Sequence, residues 1–207
     1  MYHETINIYK WDLGHYDANF TVQNGFTIVQ PTIHEIDELY YKSNNDLNVY
    51  SYQYLSERIT SGAWECMAAK KRSEIVGYIF CSATEMYFKG CTRVDFFLPP
   101  SSIYLFRHFV LSSFRNMSIG KALTHAVLLR ARNGLSQTAF SAVDTRKSVQ
   151  IHNYEKMGGE NIGSLFFLKT TNFNLTIFSP GLFKNGLKLR SVQDCHFHLG
   201  PLYVQIL

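Results

Sequence analysis

Residues 108 to 122 read His-Phe-Val-Leu-Ser-Ser-Phe-Arg-Asn-Met-Ser-Ile-Gly-Lys-Ala, and the rest of the chain is organised around them. The apolar run from Ile103 to Leu111 predicts a buried strand, and the polar residues after it predict a short turn. Apolar side chains at helical spacing then predict a helix: Ile119, Leu123, Val127 and Leu128. Because the first N–H groups of a helix have no intrahelical acceptor, the turn before this helix is suited to bind phosphate.

The composition favours one folded domain of ordinary size. Of the 207 residues, 46% are hydrophobic and 17% are charged, which is enough to build a core. The 16 Phe and 13 Tyr residues favour a sheet-rich interior or a roomy apolar pocket. The net charge is only +4, and the longest basic run, Lys70-Lys71-Arg72, falls at a predicted hairpin turn. We therefore expect a solvated turn there and no nucleic-acid partner.

The chain begins without a basic segment followed by an apolar one, so we expect no signal peptide. No apolar run approaches the length that spans a bilayer, so no membrane span is expected either. The four cysteines, Cys66, Cys81, Cys91 and Cys195, have no CxxC pairing and no metal-like spacing with histidine. This pattern is typical of reduced thiols in a cytoplasmic protein.

Hydrophobic periodicity and turn signals predict a mixed α/β fold with a central sheet. Thr32 and Glu35 have the spacing of a capping box and predict a helix through Tyr40. Two strand-like runs, Trp64–Ala69 and Ile75–Ser82, predict an antiparallel hairpin. The other predicted elements are strands at 26–29, 138–143 and 162–169, helices at 50–59 and 148–157, and β-like pieces at 175–178 and 202–207.

Between Phe26 and Thr170 the chain resembles the GNAT (N-acetyltransferase) superfamily. The cofactor turn of that family reads Arg/Gln-x-x-Gly-x-Gly/Ala. The corresponding residues here are Arg115-Asn-Met-Ser-Ile-Gly120, with Ser118 where the first glycine is usual.

Two further segments carry the resemblance. The run Glu74-Ile-Val-Gly-Tyr78 is similar to the family's hairpin before the cofactor strand. The run Ile151-His-Asn-Tyr-Glu-Lys-Met-Gly158 is similar to its late helix, which commonly reads Leu-Tyr-Glu-Lys-Leu-Gly-Phe. Gly159 stands here in place of that phenylalanine, and Lys147 in place of a frequent asparagine.

The resemblance implies a GNAT-like fold, in which a mixed, mostly antiparallel central sheet is flanked by helices and its central strands splay apart. A GNAT acyltransferase domain would then occupy residues 26–170. Residues 1–25 would be an N-terminal extension packed on this domain. Residues 171–207 would be a β-rich C-terminal extension that completes the sheet.

The resemblance also implies acetyl-CoA as co-substrate, without a metal. The turn would bind the pyrophosphate, and free backbone groups of the preceding strand would bind the pantetheine arm and hold the thioester carbonyl. The expected cofactor-binding residues are Phe109, Val110, Leu111, Arg115, Asn116, Met117, Ser118, Ile119, Gly120, Lys121, Ala122 and Lys147. For Lys121 and Lys147, a solvent-facing position is the alternative.

Tyr154 and His108 are the expected catalytic residues. Tyr154 stands where the family often has a tyrosine that protonates the departing thiolate, and the alternative is an aromatic side chain on the buried face of a helix. His108 lies one residue before the expected bulge in the strand and could accept the ammonium proton, or it could be a hydrogen-bonded sheet histidine. Because Arg107 alternates with His108, only one of them can face a substrate cleft.

Two other groups of residues are candidate sites: a histidine pair for a metal ion and two cysteines for nucleophilic catalysis. His196 and His198 share one strand face, but no third metal ligand is evident, so no metal is expected. Cys81 and Cys91 have no arguable histidine partner and are not expected to act as nucleophiles.

The resulting hypothesis is an acyl-CoA-dependent N-acyltransferase that moves an acetyl group to a primary amine of a small molecule or peptide. The alternatives are a long-chain acyl-CoA or acyl-carrier-protein donor, and a non-catalytic GNAT-like module that binds CoA. Acceptor contacts are expected from the first two helices and from a loop between strands, near 46–54 and 85–100. Either a monomer or a homodimer is compatible with the sequence.

Overall fold

The structure, a computed structural model, describes residues 2–17, 25–42, 51–89, 93–169, 173–193, 197–199 and 202–206 of the chain. The chain divides into two compact units. Unit 1 contains residues 1–16, 84–104 and 136–207, and unit 2 contains residues 17–83 and 105–135. The predicted fold class is confirmed, because mostly antiparallel strands are flanked by helices. The splay of central strands stays a prediction.

In chain order the elements are β1 (Tyr2–Asp12), β2 (Thr27–Val29), α1 (Ile33–Lys42), α2 (Tyr52–Thr60), β3 (Trp64–Lys71), β4 (Glu74–Ser82), β5 (Glu85–Lys89), β6 (Arg93–Phe97), β7 (Ser102–Val110), α3 (Ile119–Asn133), β8 (Thr138–Asp144), α4 (Ser148–Lys156), β9 (Glu160–Lys169), β10 (Phe173–Phe178), α5 (Pro180–Lys184), β11 (Lys188–Gln193), β12 (Phe197–Leu199) and β13 (Leu202–Ile206). A short 3₁₀ turn, Ser112–Phe114, lies between β7 and α3.

Unit 1 contains strands in the order β12-β13-β10-β9-β1-β8, all paired antiparallel. A smaller sheet, in the order β11-β6-β5, contains residues 85–89 and 93–97. Its Phe96 packs edge-on against Phe178 at the end of β10, with ring centroids 5.8 Å apart. Aromatic side chains therefore build the interior of this unit, as the composition predicts.

The N-terminal residues form an internal strand of unit 1. β1 pairs with β8 on one side and with β9 on the other, so that Ile8 lies opposite both Ala142 and Gly163. Ile8, Tyr9 and Trp11 are buried. Over residues 2–12 the expected extension is thus a strand with neighbours on both edges.

In unit 2 the strands lie in the order β7-β4-β3-β2, and only the C-terminal part of β7 belongs to this unit. The β3–β4 hairpin confirms the predicted pair of strands and places Arg72 in the turn, with a left-handed φ of +57°. The capping box is also confirmed: the N–H group of Thr32 donates to the Glu35 carboxylate, and the N–H group of Glu35 donates to the Thr32 hydroxyl.

Cys66 and Cys81 are free and buried, as expected for reduced thiols. Burial raises the pKa of both thiols, and that of Cys81 reaches about 12. Neither is a thiolate at neutral pH, so neither is suited to act as a nucleophile. Cys91 and Cys195 lie outside the described residues.

Candidate active site

Strand β7 loses its regular geometry at Arg107, whose φ is +50°. Residues 102–105 of this strand are buried, and residues 106–110, which include Arg107, are only partly buried. A left-handed residue within a strand breaks the alternation of side chains between the two faces. The sequence placed this irregularity at Phe109, so the structure moves it two residues towards the start of the strand.

After this break, neighbouring residues of β7 contact different elements. The ring of Phe109 stacks on Tyr78 of β4, with centroids 5.3 Å apart and planes at 26°. The ring of His108 packs instead against the first turn of α3, because a methyl group at Gly120 would lie 3.1 Å from its Nε2 atom. His108 therefore sits beside the N-terminus of α3.

The backbone at the end of β7 is partly occupied by internal hydrogen bonds. The N–H group of Leu111 donates to the carbonyl of Val76 at 2.9 Å, and the carbonyl of Leu111 accepts from Phe114 at 2.9 Å. The Nε–H group of Arg115 donates to the carbonyl of Val110 at 3.2 Å. Leu111 therefore has no free N–H group for a pantetheine amide, and Arg115 is folded back over the strand end.

The turn itself contains two left-handed residues. Asn116 has a φ of +64° and Ser118 has a φ of +57°, and the helix α3 starts directly after Ser118. A left-handed residue followed by a right-handed helix turns successive N–H groups to the same side, which is the geometry of an anion-binding nest.

The first N–H groups of α3 have no acceptor within the helix itself. The Ser118 side chain makes no capping hydrogen bond, and the first turn contains no acidic residue. The first N–H group with an intrahelical partner is that of Ala122, which donates to the Ser118 carbonyl at 3.0 Å. The backbone N–H groups available to a ligand are therefore those of Ile119, Gly120 and Lys121. The N–H group of Ala122, which was also expected to bind the cofactor, is not available.

Two more predicted cofactor residues are placed differently. Met117 is 44% exposed in the turn, so its side chain is open to contact by a ligand. Lys147 belongs to unit 1, where it precedes α4: its N–H group donates to the Asp144 carbonyl, and its own carbonyl accepts from Ile151. Its backbone therefore starts the helix α4.

Tyr154 is buried in unit 1 on α4. Its hydroxyl lies 3.0 Å from the Ser141 hydroxyl and accepts from the Gln150 amide at 2.9 Å. Burial raises the pKa of Tyr154, and these two hydrogen bonds oppose the shift. The phenol therefore holds its proton at neutral pH, as a general acid must.

Trp11 explains why the chain has glycine where the family commonly has phenylalanine. The Trp11 indole packs edge-on against Tyr154, with centroids 5.0 Å apart, and donates from Nε1 to the Met157 carbonyl. A methyl group at Gly159 would lie 2.8 Å from the indole ring. An aromatic ring supplied by β1 thus occupies the space beside residue 159.

Unit 2 contains a cavity of about 600 Å³ between α1, β4 and the end of β7, which we call the α1 cavity. The rings of Tyr78 and Phe109 form part of its wall. Its lining residues are Glu35, Glu38, Leu39, Ser73, Glu74, Ile75, Val76, Gly77, Tyr78, Phe109 and Leu111. Sequence reasoning missed this cavity, because it depends on how α1 packs over the sheet.

A match to a family sequence model identifies the family of the chain. The model of the acetyltransferase (GNAT) family matches residues 31–159, which is more than half of the chain. The chain belongs to the GNAT acetyltransferase family. No curated protein is similar in sequence at a significant level.

Solved structures share the GNAT fold at low identity. A GCN5-related glucosamine N-acetyltransferase region of a fungal GH3 β-N-acetylglucosaminidase is 12% identical, with a TM-score of 0.59 over 77% of this chain and 20% of the other. A Drosophila protein is 11% identical, with a TM-score of 0.57 over 80% of this chain and 50% of the other. A tandem GNAT protein from the clavulanic acid biosynthesis pathway is 17% identical, with a TM-score of 0.54 over 76% of this chain and 50% of the other. This GNAT chain therefore spans half or less of each of these three.

Two features are absent from the described residues. No group of three or more His, Cys, Asp or Glu side chains in these ranges could hold a metal ion. No helix in them is long and apolar enough to cross a membrane. Of the predicted histidine pair, His198 lies in β12 and His196 lies outside the described residues.

Proposed function

We propose that this GNAT protein transfers an acetyl group from acetyl-CoA to the nitrogen of a primary amine. The observation that carries the proposal is the start of α3. Left-handed Asn116 and Ser118 lead into a helix whose first three N–H groups have no intrahelical acceptor and whose first turn contains no acidic residue. Such a site favours the pyrophosphate of CoA, because the helix dipole adds positive charge to the donors.

In this proposal, residues that follow the turn and residues that precede it make the remaining cofactor contacts. The Lys121 ammonium belongs to the first turn of α3 and would pair with a phosphate. The backbone of Phe109 and Val110 would bind the pantetheine arm, and a backbone N–H group there would polarise the thioester carbonyl. In this proposal Lys147 contributes a second positive charge to the same cofactor.

The proposed reaction is direct. The amine nitrogen attacks the thioester carbon to form a C–N bond, the tetrahedral intermediate collapses, and the C–S bond breaks. The CoA thiolate takes the proton of the Tyr154 hydroxyl, and the ammonium proton passes to His108 or to an ordered water. His108 directly precedes Phe109 in β7, the strand proposed to bind the thioester, and this position supports the role.

A conservative substitution tests the proposed acid. Tyr154→Phe removes only the hydroxyl, so we expect kcat for CoA release from acetyl-CoA to fall by about 10²-fold or more. The Kd for CoA, measured by calorimetry, should stay within about twofold of the wild-type value. The matched control is Tyr9→Phe, since Tyr9 packs against Tyr154 and its hydroxyl bonds to Glu155.

If Tyr154→Phe keeps its turnover, the hydroxyl serves only packing, and the assignment of the acid is wrong. Acyl-CoA donors of increasing chain length, tested in the same assay, decide the donor. Turnover with long chains alone would contradict acetyl transfer. Tight CoA binding without turnover on any donor and amine would identify a non-catalytic CoA-binding module.

A further inference from the structure

We propose that Gln150 and Ser141 are positioning residues of the reaction. Both donate hydrogen bonds to the oxygen of Tyr154, and they stabilise the phenolate that remains after its proton has passed to the CoA thiolate. The inference rests on the proposed function, because it explains how the proposed acid gives up its proton. All three side chains belong to unit 1, with Ser141 on β8 and the other two on α4.

The Tyr154 hydroxyl has two hydrogen-bond partners among the described residues. The Gln150 amide donates to it at 2.9 Å, and the Ser141 hydroxyl lies 3.0 Å away. Gln150 and Tyr154 are four residues apart on α4, so their side chains share one face of the helix. The phenol is therefore held between its own helix and a neighbouring strand before any substrate binds.

These contacts leave the proton of Tyr154 available to a substrate. A phenolic hydroxyl both donates and accepts hydrogen bonds, whereas the NH₂ group of a glutamine side chain only donates. When Ser141 also donates, two donors point at the phenolic oxygen and neither takes its proton. The Tyr154 hydrogen then remains for the thiolate, and both donors are already in place when the oxygen becomes charged.

Without these donors, the surroundings of the phenol would oppose the loss of its proton. The Trp11 indole packs edge-on against the Tyr154 ring, and the Tyr9 ring packs edge-on with centroids 5.6 Å apart. The Tyr9 hydroxyl donates to Glu155. Burial raises the pKa of Tyr154, and the hydrogen bonds to Ser141 and Gln150 act in the opposite direction.

The proton step balances within the reaction. As the C–S bond breaks, the O–H bond of Tyr154 breaks, an S–H bond forms, and the negative charge moves from sulfur to the phenolate oxygen. A phenol has an ordinary pKa of about 10 and a thiol one of about 8.5, so this transfer is unfavourable unless the phenolate is stabilised. The phenolate then recovers a proton from water, which balances the ammonium proton that passes to His108 or to an ordered water.

The hydrogen bonds change in strength during this step. A hydrogen bond to an ionised acceptor is roughly twice as strong as one between neutral groups. Gln150 and Ser141 therefore stabilise the phenolate more than the phenol, and this difference favours the transfer of the proton to sulfur.

The experiment measures kcat for CoA release from acetyl-CoA by the full chain, with the best acceptor of a panel of primary amines. Gln150→Met keeps the length of the side chain and removes the donor, so kcat should fall about tenfold or more. Ser141→Ala should have a similar effect. Ser164→Ala is the matched control in unit 1, since Ser164 is a strand serine that bonds to Ser179, and it should leave kcat unchanged.

Two further variants separate this role from a purely structural one. Gln150→Glu keeps the shape of the side chain, but at neutral pH its carboxylate accepts hydrogen bonds and donates none. It should therefore lose at least as much activity as Gln150→Met. In a Tyr154→Phe background the hydroxyl is absent, so Gln150→Met and Ser141→Ala should lower kcat no further. The Kd for CoA should stay within about twofold in every variant.

Three results would overturn the inference. They are kcat values of Gln150→Met and Ser141→Ala within about twofold of wild type, full activity of Gln150→Glu, and equal losses with and without the Tyr154 hydroxyl. Failure of the proposed function has a different signature, because wild type would then bind CoA and acetylate no amine of the panel. Loss of activity in Tyr154→Phe alone would uphold the acid and refute the two positioning residues.

Discussion

Ser118 adopts a left-handed backbone, with φ +57° and ψ +11°, at the entry to α3. This conformation costs an L-residue with a Cβ atom about 1 kcal/mol or more, whereas glycine adopts it freely. The serine side chain makes no capping hydrogen bond that would offset the cost. In the proposed function, this geometry directs the first N–H groups of α3 towards the CoA pyrophosphate.

Ser118→Gly should therefore raise the free energy of unfolding by up to about 1 kcal/mol, measured by urea denaturation. The affinity for CoA should be retained or improved, because the turn keeps its shape. Ser113→Gly is the matched control, since Ser113 lies in the adjoining 3₁₀ turn without a positive φ. Equal destabilisation by the two substitutions would show that Ser118 is not strained.

His125 shows what helical spacing leaves undetermined at a single residue. A histidine beside the apolar stripe of a helix is ordinarily exposed, but the His125 side chain is buried on α3. Burial lowers its pKa below 6.5, and the charge of Asp17 opposes the shift only in part. The helix stripe of Ile119, Leu123 and Val127 was visible in the sequence, whereas the width of the buried face was not.

This shift predicts how stability depends on pH. As the pH falls, His125 takes up a proton in the unfolded chain before it does so in the folded chain. The contribution of His125 to the free energy of unfolding is therefore complete above pH 6.5 and is lost as the pH falls below that value. The unfolding free energy of wild type should decrease between about pH 7.5 and about pH 5.5, and that of His125→Gln should decrease less. His34→Gln, at a side chain that is 91% exposed, should keep the wild-type slope. Identical slopes for all three proteins would contradict the assignment.

At the scale of elements, the segment around the cofactor turn was predictable and the N-terminal strand was not. The strand, turn and helix expected at 103–132 are observed as β7, the 3₁₀ turn and α3, because each has a strong local signal. β1 lacks such a signal: Ile8 and Tyr9 are buried in succession, so the strand has no alternating pattern, and polar residues precede them. It also lies before residue 31, where the family match begins.

The position of β1 predicts that it is part of the core. Ile8→Ala should reduce the free energy of unfolding by about 2–5 kcal/mol, since its side chain is fully buried. Tyr2→Ala in the same strand, where the side chain is 45% exposed, should change it by about 0.5 kcal/mol or less. Equal and small effects in chemical denaturation would show that the N-terminal strand is dispensable.

At the scale of the whole molecule, local patterns predicted more of the fold than of the site. The resemblance identified the family, the cofactor turn and the helix of Tyr154 from short motifs. It could not place Arg107 in a left-handed conformation, show that Leu111 and Ala122 have bonded N–H groups, or reveal the α1 cavity. These features arise from packing between segments that are distant in the sequence, such as α1 over β4 and Trp11 beside Gly159.

The most direct test of the central claim is mass spectrometry of a primary amine incubated with the full chain and acetyl-CoA. Acetyl transfer predicts one acetyl group on the amine nitrogen and an equal amount of free CoA thiol, both dependent on the protein. CoA bound by the protein, with no acetylated amine across a panel of primary amines, would contradict the proposed activity.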